Sequence, residues 1–110
     1  FLEDLDREQV LVCCLDNKNQ PVSITIVSTG TLNSSLVHPR EVFKTAILSN
    51  AAGIILFHNH PSGDPEPSQE DINITTRIKD AGKIMGIELL DHIIIGSDDS
   101  FCSLKERNHI

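Results

Sequence analysis

The strongest constraint on the fold is an apolar run that ends in two histidines. Residues 54–57 (IILF) are uniformly apolar, and His58, Asn59 and His60 follow directly. A short continuous apolar run of this kind is typical of an interior strand that is covered on both faces. Because successive side chains of a strand point to opposite faces, His58 and His60 are predicted to project together while Asn59 turns away.

The segment after the histidines predicts a stiff loop that leads into a helix. Residues 61–67 (PSGDPEP) combine three prolines with a glycine, which restricts the backbone and favours turns. Ser68 is a suitable N-cap and Asp71 occupies the third helical position. The helix is predicted to run to about Met85 and to stop at Gly86. The loop is therefore expected to bring Asp71 back toward the two histidines.

The whole chain predicts a single α/β domain over residues 1–110, built on a mixed β-sheet flanked by helices. Strands are predicted over residues 8–15, 21–28, 53–57, 88–95 and 100–104, and helices over about 39–50 and 68–85. Residues 1–6 are predicted to be a lead-in and residues 32–38 a connecting loop. Because the chain starts at Phe1 without a methionine, we expect it to be a C-terminal fragment of a longer chain.

Composition restricts the possible partners. Nine Lys and Arg stand against sixteen Asp and Glu, which gives a net charge of −7. This balance argues against DNA binding by the domain alone, because affinity for DNA depends on cationic side chains that neutralise phosphates. No apolar stretch approaches the ~20 residues of a membrane span, and no signal peptide is recognisable. The odd count of three cysteines, without C-x-x-C, predicts buried thiols in a reducing cytoplasm.

Two histidines and a carboxylate form a candidate transition-metal site. Catalytic zinc takes three protein ligands and keeps a fourth position for water, and His58, His60 and Asp71 would supply three. Each feature has a simpler alternative when taken alone. The Ser68-x-x-Asp71 pair is also a good helix cap, and a single His-x-His on a strand is more often not a metal pair. The two interpretations of Asp71 are compatible, since a helix N-terminus favours its charged form.

The spacing of these residues resembles a known motif. The pattern H-x-H, seven residues, then S-x-x-D, with an upstream glutamate, resembles the JAMM motif of the JAB1/MPN metalloprotease superfamily. The run HNHPSGDPEPSQED, with VHPRE before it and LLDHIIIG after it, is similar to the RadC family in particular. This resemblance extends from LDREQ to SLKERN. It implies a three-layer JAB1/MPN architecture, of the cytidine-deaminase-like kind.

The resemblance also implies roles for individual residues. It implies that His58, His60 and Asp71 bind Zn²⁺, that Glu8 is the general base, and that Ser68 stabilises the oxyanion. Glu41 is a rival upstream carboxylate, although its position suits the start of a helix.

Three functional hypotheses follow. The first is a zinc-dependent hydrolase that cleaves an amide or isopeptide bond. The second, implied by the association of the RadC family with DNA repair, is a role on or near DNA through a missing upstream region. The third is a non-catalytic interaction module. The sequence leaves the substrate and the oligomeric state open.

Overall fold

The computed structural model describes residues 7–30 and 37–110, which form one mixed sheet and two helices. The elements are β1 (Gln9–Leu15), β2 (Pro21–Thr29), α1 (Pro39–Leu48), β3 (Gly53–Asn59), α2 (Gln69–Met85), β4 (Glu88–Ile95) and β5 (Phe101–Ser103). The predicted order and the mixed α/β class are confirmed. The lead-in predicted at residues 1–6, and residues 32–36 of the predicted connecting loop, lie outside the described residues.

Strand β3 is the centre of the sheet. The strand order is β2-β1-β3-β4-β5, and β3 pairs antiparallel with β1 and parallel with β4. Helix α2 connects the two parallel strands, so its N-terminus lies near the carboxyl end of β3. That strand continues two residues beyond the prediction, because His58 and Asn59 still pair with Ile94 and Ile95 of β4. The first histidine is therefore fixed by the sheet itself.

Both helices pack against the same face of the sheet. Val10, Val12 and Cys14 alternate along β1, so their side chains share one face. They belong to a single buried cluster with Phe43 of α1 and Ile78 of α2. Burial of this apolar surface drives folding, at about 25 cal/mol per Å² removed from water.

The opposite face carries no helix from residues 7–30 or 37–110. Along β2, the side chains of Ile24 and Ile26 on this face are 64% and 51% exposed. Ile55 and Phe57 of β3 are half-buried there. The prediction that β3 is covered on both faces therefore holds for the helical face alone within this part of the chain. Likewise, these residues supply two of the three layers that the resemblance implies.

Helix α2 ends where its sequence predicts. The C-cap Gly86 adopts the left-handed conformation (φ 73°), which glycine enters without steric cost. Gly82, one turn earlier, is buried because the chain folds back against it. A Cβ atom at Gly82 would lie 2.3 Å from the carbonyl oxygen of Ile87. This glycine is required by close packing against backbone.

The described residues bear on two further sequence predictions. Cys13, Cys14 and Cys102 are buried and free, as predicted, and burial raises the pKa of the Cys13 and Cys102 thiols. Of the two helices present in the described ranges, neither is long and apolar enough to cross a bilayer.

Replacing Gly82 with alanine tests this packing. Alanine is favoured over glycine in a helix by about 1 kcal/mol, yet we expect Gly82→Ala to lower the free energy of unfolding by about 1–3 kcal/mol. The new methyl group would clash with the Ile87 carbonyl, which belongs to the backbone and cannot rotate away. Urea denaturation measures the change, with the exposed neighbour Lys83→Ala as the matched control. A Gly82→Ala protein as stable as the parent would contradict the close approach.

Candidate metal centre

Three elements converge at the carboxyl end of β3. His58 is the last residue but one of the strand, His60 follows the strand, Asp71 lies in the first turn of α2, and Glu8 immediately precedes β1. One ligand-type atom from each of these four side chains lies within 4.8 Å of the others. The histidines project together, as the strand period predicts, and the loop returns Asp71 to them. The four residues singled out from the sequence as ligands and base are thus gathered in one place.

The capping box of α2 holds the Asp71 carboxylate in position. The backbone N–H of Ser68 donates to Asp71 Oδ2 at 2.8 Å, and the backbone N–H of Asp71 donates to Ser68 Oγ at 3.1 Å. The same carboxylate faces both imidazoles, with Oδ2 3.0 Å from His60 Nε2 and Oδ1 3.3 Å from His58 Nδ1. The cap and the candidate site therefore share one side chain, as the sequence indicates.

The loop carbonyl of Asp64 fixes the orientation of His60. His60 Nδ1 donates to Asp64 O at 2.9 Å, so in the neutral ring the lone pair is on Nε2. That lone pair faces an Asp71 oxygen, which is also an acceptor. A positive charge must lie between them for the contact to be favourable. In the metal-free protein a proton takes this place, and the hydrogen bond that His60 Nε2–H then donates to Asp71 raises the pKa of His60 above its ordinary value.

The same environment makes Asp71 a strong acid. Burial alone would raise the pKa of this carboxyl, but hydrogen bonds from His60 and from the Ser68 N–H outweigh it and lower the pKa to about 2. Asp71 is therefore an anion at neutral pH, although it is buried. A buried carboxylate with two imidazoles against it is a donor set that attracts a cation.

The geometry and chemistry of this set fit a transition metal. Asp71 offers one oxygen to each imidazole, Oδ2 at 3.0 Å from His60 Nε2 and Oδ1 at 3.3 Å from His58 Nδ1, and zinc ligands bound at about 2.1 Å lie a similar distance from one another. Nitrogen and carboxylate donors suit zinc and its neighbours in the first transition row, whereas calcium and magnesium prefer oxygen alone. His58, His60 and Asp71 would hold the ion, and Glu8 is close enough to act beside it.

Asn59, in the neighbouring strand β3, holds the backbone around Glu8 in position. Its amide donates to the carbonyl of Arg7 at 2.8 Å, and its Oδ1 accepts from the N–H of Gln9 at 2.6 Å. The Asn59 amide is thus hydrogen-bonded to the backbone of the residues on either side of Glu8. The Glu8 carboxylate contacts His58 Nε2. Asn59 is itself buried, and both its amide nitrogen and its amide oxygen are hydrogen-bonded beside the site. The rival Glu41 lies in the first turn of α1 and is absent from the four-residue group.

Ser68 stands at the open side of the group. Its oxygen accepts from the Asp71 N–H, which leaves the hydroxyl proton free to donate. The residue is exposed and lines a cavity of about 30 Å³ together with Glu8, His58 and Asp71. Such a volume has room for a water molecule.

Comparison with known proteins identifies the family. A model of the RadC-like JAB domain matches residues 1–109. The chain belongs to the RadC family. This RadC domain is 64% identical over 104 residues to a UPF0758 protein of Moorella thermoacetica, which covers 94% of the chain and 45% of that relative. It is 59% identical over 109 residues to a UPF0758 protein of Desulforamulus reducens, covering 99% of the chain and 48% of the relative. The chain spans about half the length of these curated relatives.

Sequence reasoning missed the place of His92 in the RadC domain. It lies in the strand predicted over residues 88–95, and its ring is buried and stacked on that of His58, with centroids 5.6 Å apart. Its Nδ1 lies 2.7 Å from Thr75 Oγ1 in α2. The alternation of side chains along β4 is the one sequence signal that could have placed His92 on a face of the sheet. It is insufficient because the pairing of β3 with β4 shifts register between Ile54 and Ile55, so the later residues of β4 change faces.

Removing the Asn59 amide tests its hold on β1. We expect Asn59→Ala to lower the free energy of unfolding by about 1–3 kcal/mol, since it removes two part-buried hydrogen bonds, to the Gln9 N–H and to the Arg7 carbonyl. Denaturation of the metal-free RadC domain measures the loss. Asn73→Ala is the matched control, because its side-chain bond to Gln69 is exposed and its loss is expected to cost nothing measurable. Equal stabilities for the two variants would contradict a stabilising role for the hydrogen bonds of Asn59 to β1 and Arg7.

The buried His92 predicts a pH dependence of stability. Burial, reinforced by the charge of His58, lowers the pKa of His92 from 6.5 to about 3. Between these values the unfolded chain binds a proton that the folded chain does not, so the free energy of unfolding falls as the pH falls. The contribution is about 1.4 kcal/mol per pH unit. Denaturation from pH 6.5 to 4 in chelator should show a shallower slope for His92→Gln than for the parent. Parallel slopes would contradict the assignment.

Proposed function

We propose that this RadC domain is a zinc-dependent hydrolase that cleaves an amide or isopeptide bond. The observation that carries the proposal is the convergence of two imidazoles and two carboxylates within 4.8 Å, beside an exposed serine. JAB domains include metalloproteases, which supports the same reaction class. A pure interaction module has no need of a buried anion with two histidines against it.

The residues divide into holding and reacting groups. A bound zinc ion would supply the positive charge that lowers the pKa of a water molecule and polarises a carbonyl. His58, His60 and Asp71 hold that ion, and the Asp64 carbonyl orients His60. Glu8 takes the proton of the attacking water and returns it to the leaving amine.

Ser68 stabilises the negative charge that develops on the carbonyl oxygen of the substrate. Its exposed hydroxyl retains a free proton, which it donates to the oxygen of the attacked carbonyl. The N-terminus of α2 adds a favourable field for negative charge at the same place. One side chain thus caps the helix through its lone pair and assists the reaction through its proton.

The substrate class follows from charge. With a net charge of −7, the domain is unsuited to gripping phosphates, so we favour a peptide or isopeptide over DNA as its direct substrate. A DNA-associated role would require cationic surface from outside residues 1–110.

Two substitutions separate metal binding from catalysis. We expect Glu8→Gln to retain zinc and to lose turnover about 100- to 10,000-fold, because it removes the proton acceptor. His60→Ala should lose both, because it removes a ligand. Zinc content is measured after dialysis, and turnover is measured by screening peptide and isopeptide substrates.

Glu41→Gln is the matched control, since it neutralises the rival upstream glutamate in α1. It should keep both zinc and activity. Full hydrolysis by Glu8→Gln would remove Glu8 from the mechanism, and a parent protein that binds no zinc would end the proposal as a whole.

A further inference from the structure

The hydroxyl of Thr75 joins His92 to the metal-site helix. Thr75 Oγ1 lies 2.7 Å from the carbonyl oxygen of Asp71 and 2.7 Å from His92 Nδ1. Both side chains are buried, at 0% and 2% exposure. These contacts therefore connect His92 in β4, through Thr75 in α2, to the backbone carbonyl of Asp71, the residue whose carboxylate faces both imidazoles.

The donors in this chain can be assigned. A carbonyl oxygen only accepts, so the single hydroxyl proton of Thr75 goes to Asp71 O. The Thr75 oxygen is then the acceptor for His92, which must carry its proton on Nδ1. His92 Nε2 consequently bears a lone pair, and it has no hydrogen-bond partner within the described ranges. The ring is held in one tautomer and one orientation by a neutral hydrogen bond.

His92 also supports the other side of the site. Its ring stacks on that of His58 at an interplanar angle of 25°. His58 itself is almost fully buried, and His60 meets it edge-on with ring centroids 4.9 Å apart. Rotation of the His58 ring is thereby restricted by His92 on one side and His60 on another. His92 thus touches one imidazole of the site directly and reaches Asp71 through Thr75.

We propose that His92 and Thr75 are positioning residues of the metal centre, which fix the Asp71 carboxylate and the His58 ring in the geometry that a divalent metal requires. The inference rests on the metal site of the proposed function and extends it to residues outside the ligand set. Partners that orient metal ligands in this way affect metal affinity about 10- to 100-fold when they are removed.

Zinc affinity, measured by chelator competition, tests the pair without any substrate. We expect Thr75→Val to weaken zinc binding about 10- to 100-fold, and Thr75→Ser to restore it. His92→Phe preserves a stacking ring but removes the donor, and it should weaken binding similarly. Because both act through one contact, the double variant should bind no more weakly than the weaker single variant.

Thr76→Val is the matched control. Thr76 lies beside Thr75 and donates in the same way to a carbonyl one turn earlier, that of Ile72, but it is exposed and meets no histidine. This variant should bind zinc within twofold of the parent. The absorption spectrum of the cobalt-substituted protein gives a second measure, since Thr75→Val should change the ligand-field bands while Thr76→Val leaves them unchanged.

Nitrogen-15 NMR of the metal-free parent supplies a test that needs no variant. At neutral pH, His92 should show a protonated Nδ1 and an unprotonated Nε2. The opposite tautomer, or zinc affinities of Thr75→Val and His92→Phe within twofold of the parent, would overturn the inference while leaving the proposed function intact. A parent that binds neither zinc nor cobalt would overturn both.

Discussion

The structure depends on one carboxylate that serves two purposes. Asp71 closes the capping box of α2 and faces both imidazoles, so the same hydrogen bonds that start the helix aim the candidate ligand. Its pKa is about 2, because the hydrogen bonds that it accepts lower the pKa by more than burial raises it. A helix N-terminus, a strand end and a stiff loop thus become a single unit.

The two faces of the sheet have different tasks. The face that carries the helices is buried along its whole length. It is apolar at the end marked by Cys14 and Ile54 and polar at the opposite end, where His58 lies. The other face exposes Ile24 and Ile26, with no helix over it from residues 7–30 or 37–110. At the site, Asn59 links the faces, because it projects away from the histidines yet holds the backbone on which Glu8 is carried.

Much of this could be predicted from local sequence. The period of a strand places His58 beside His60, and the chemistry of a helix cap places Asp71, so both follow from residues close in the chain. The clamp of Asn59 on Gln9 joins residues fifty positions apart and needs the β1–β3 register. The place of His92 needs the register shift between β3 and β4. Such long-range pairings are set by tertiary packing, which a single sequence does not display.

The double duty of Asp71 limits what its presence in other sequences can reveal. A protein that had abandoned metal chemistry would still be selected to keep a Ser-x-x-Asp pair, because losing the cap weakens the helix by about 1 kcal/mol. His60 starts no helix; it is partly exposed, lies beyond the end of the strand, and contacts only the Asp64 carbonyl and the neighbouring site residues. His60 is therefore a better diagnostic of an intact centre than Asp71, and a member of this fold that had lost the metal should lose His60 before Asp71.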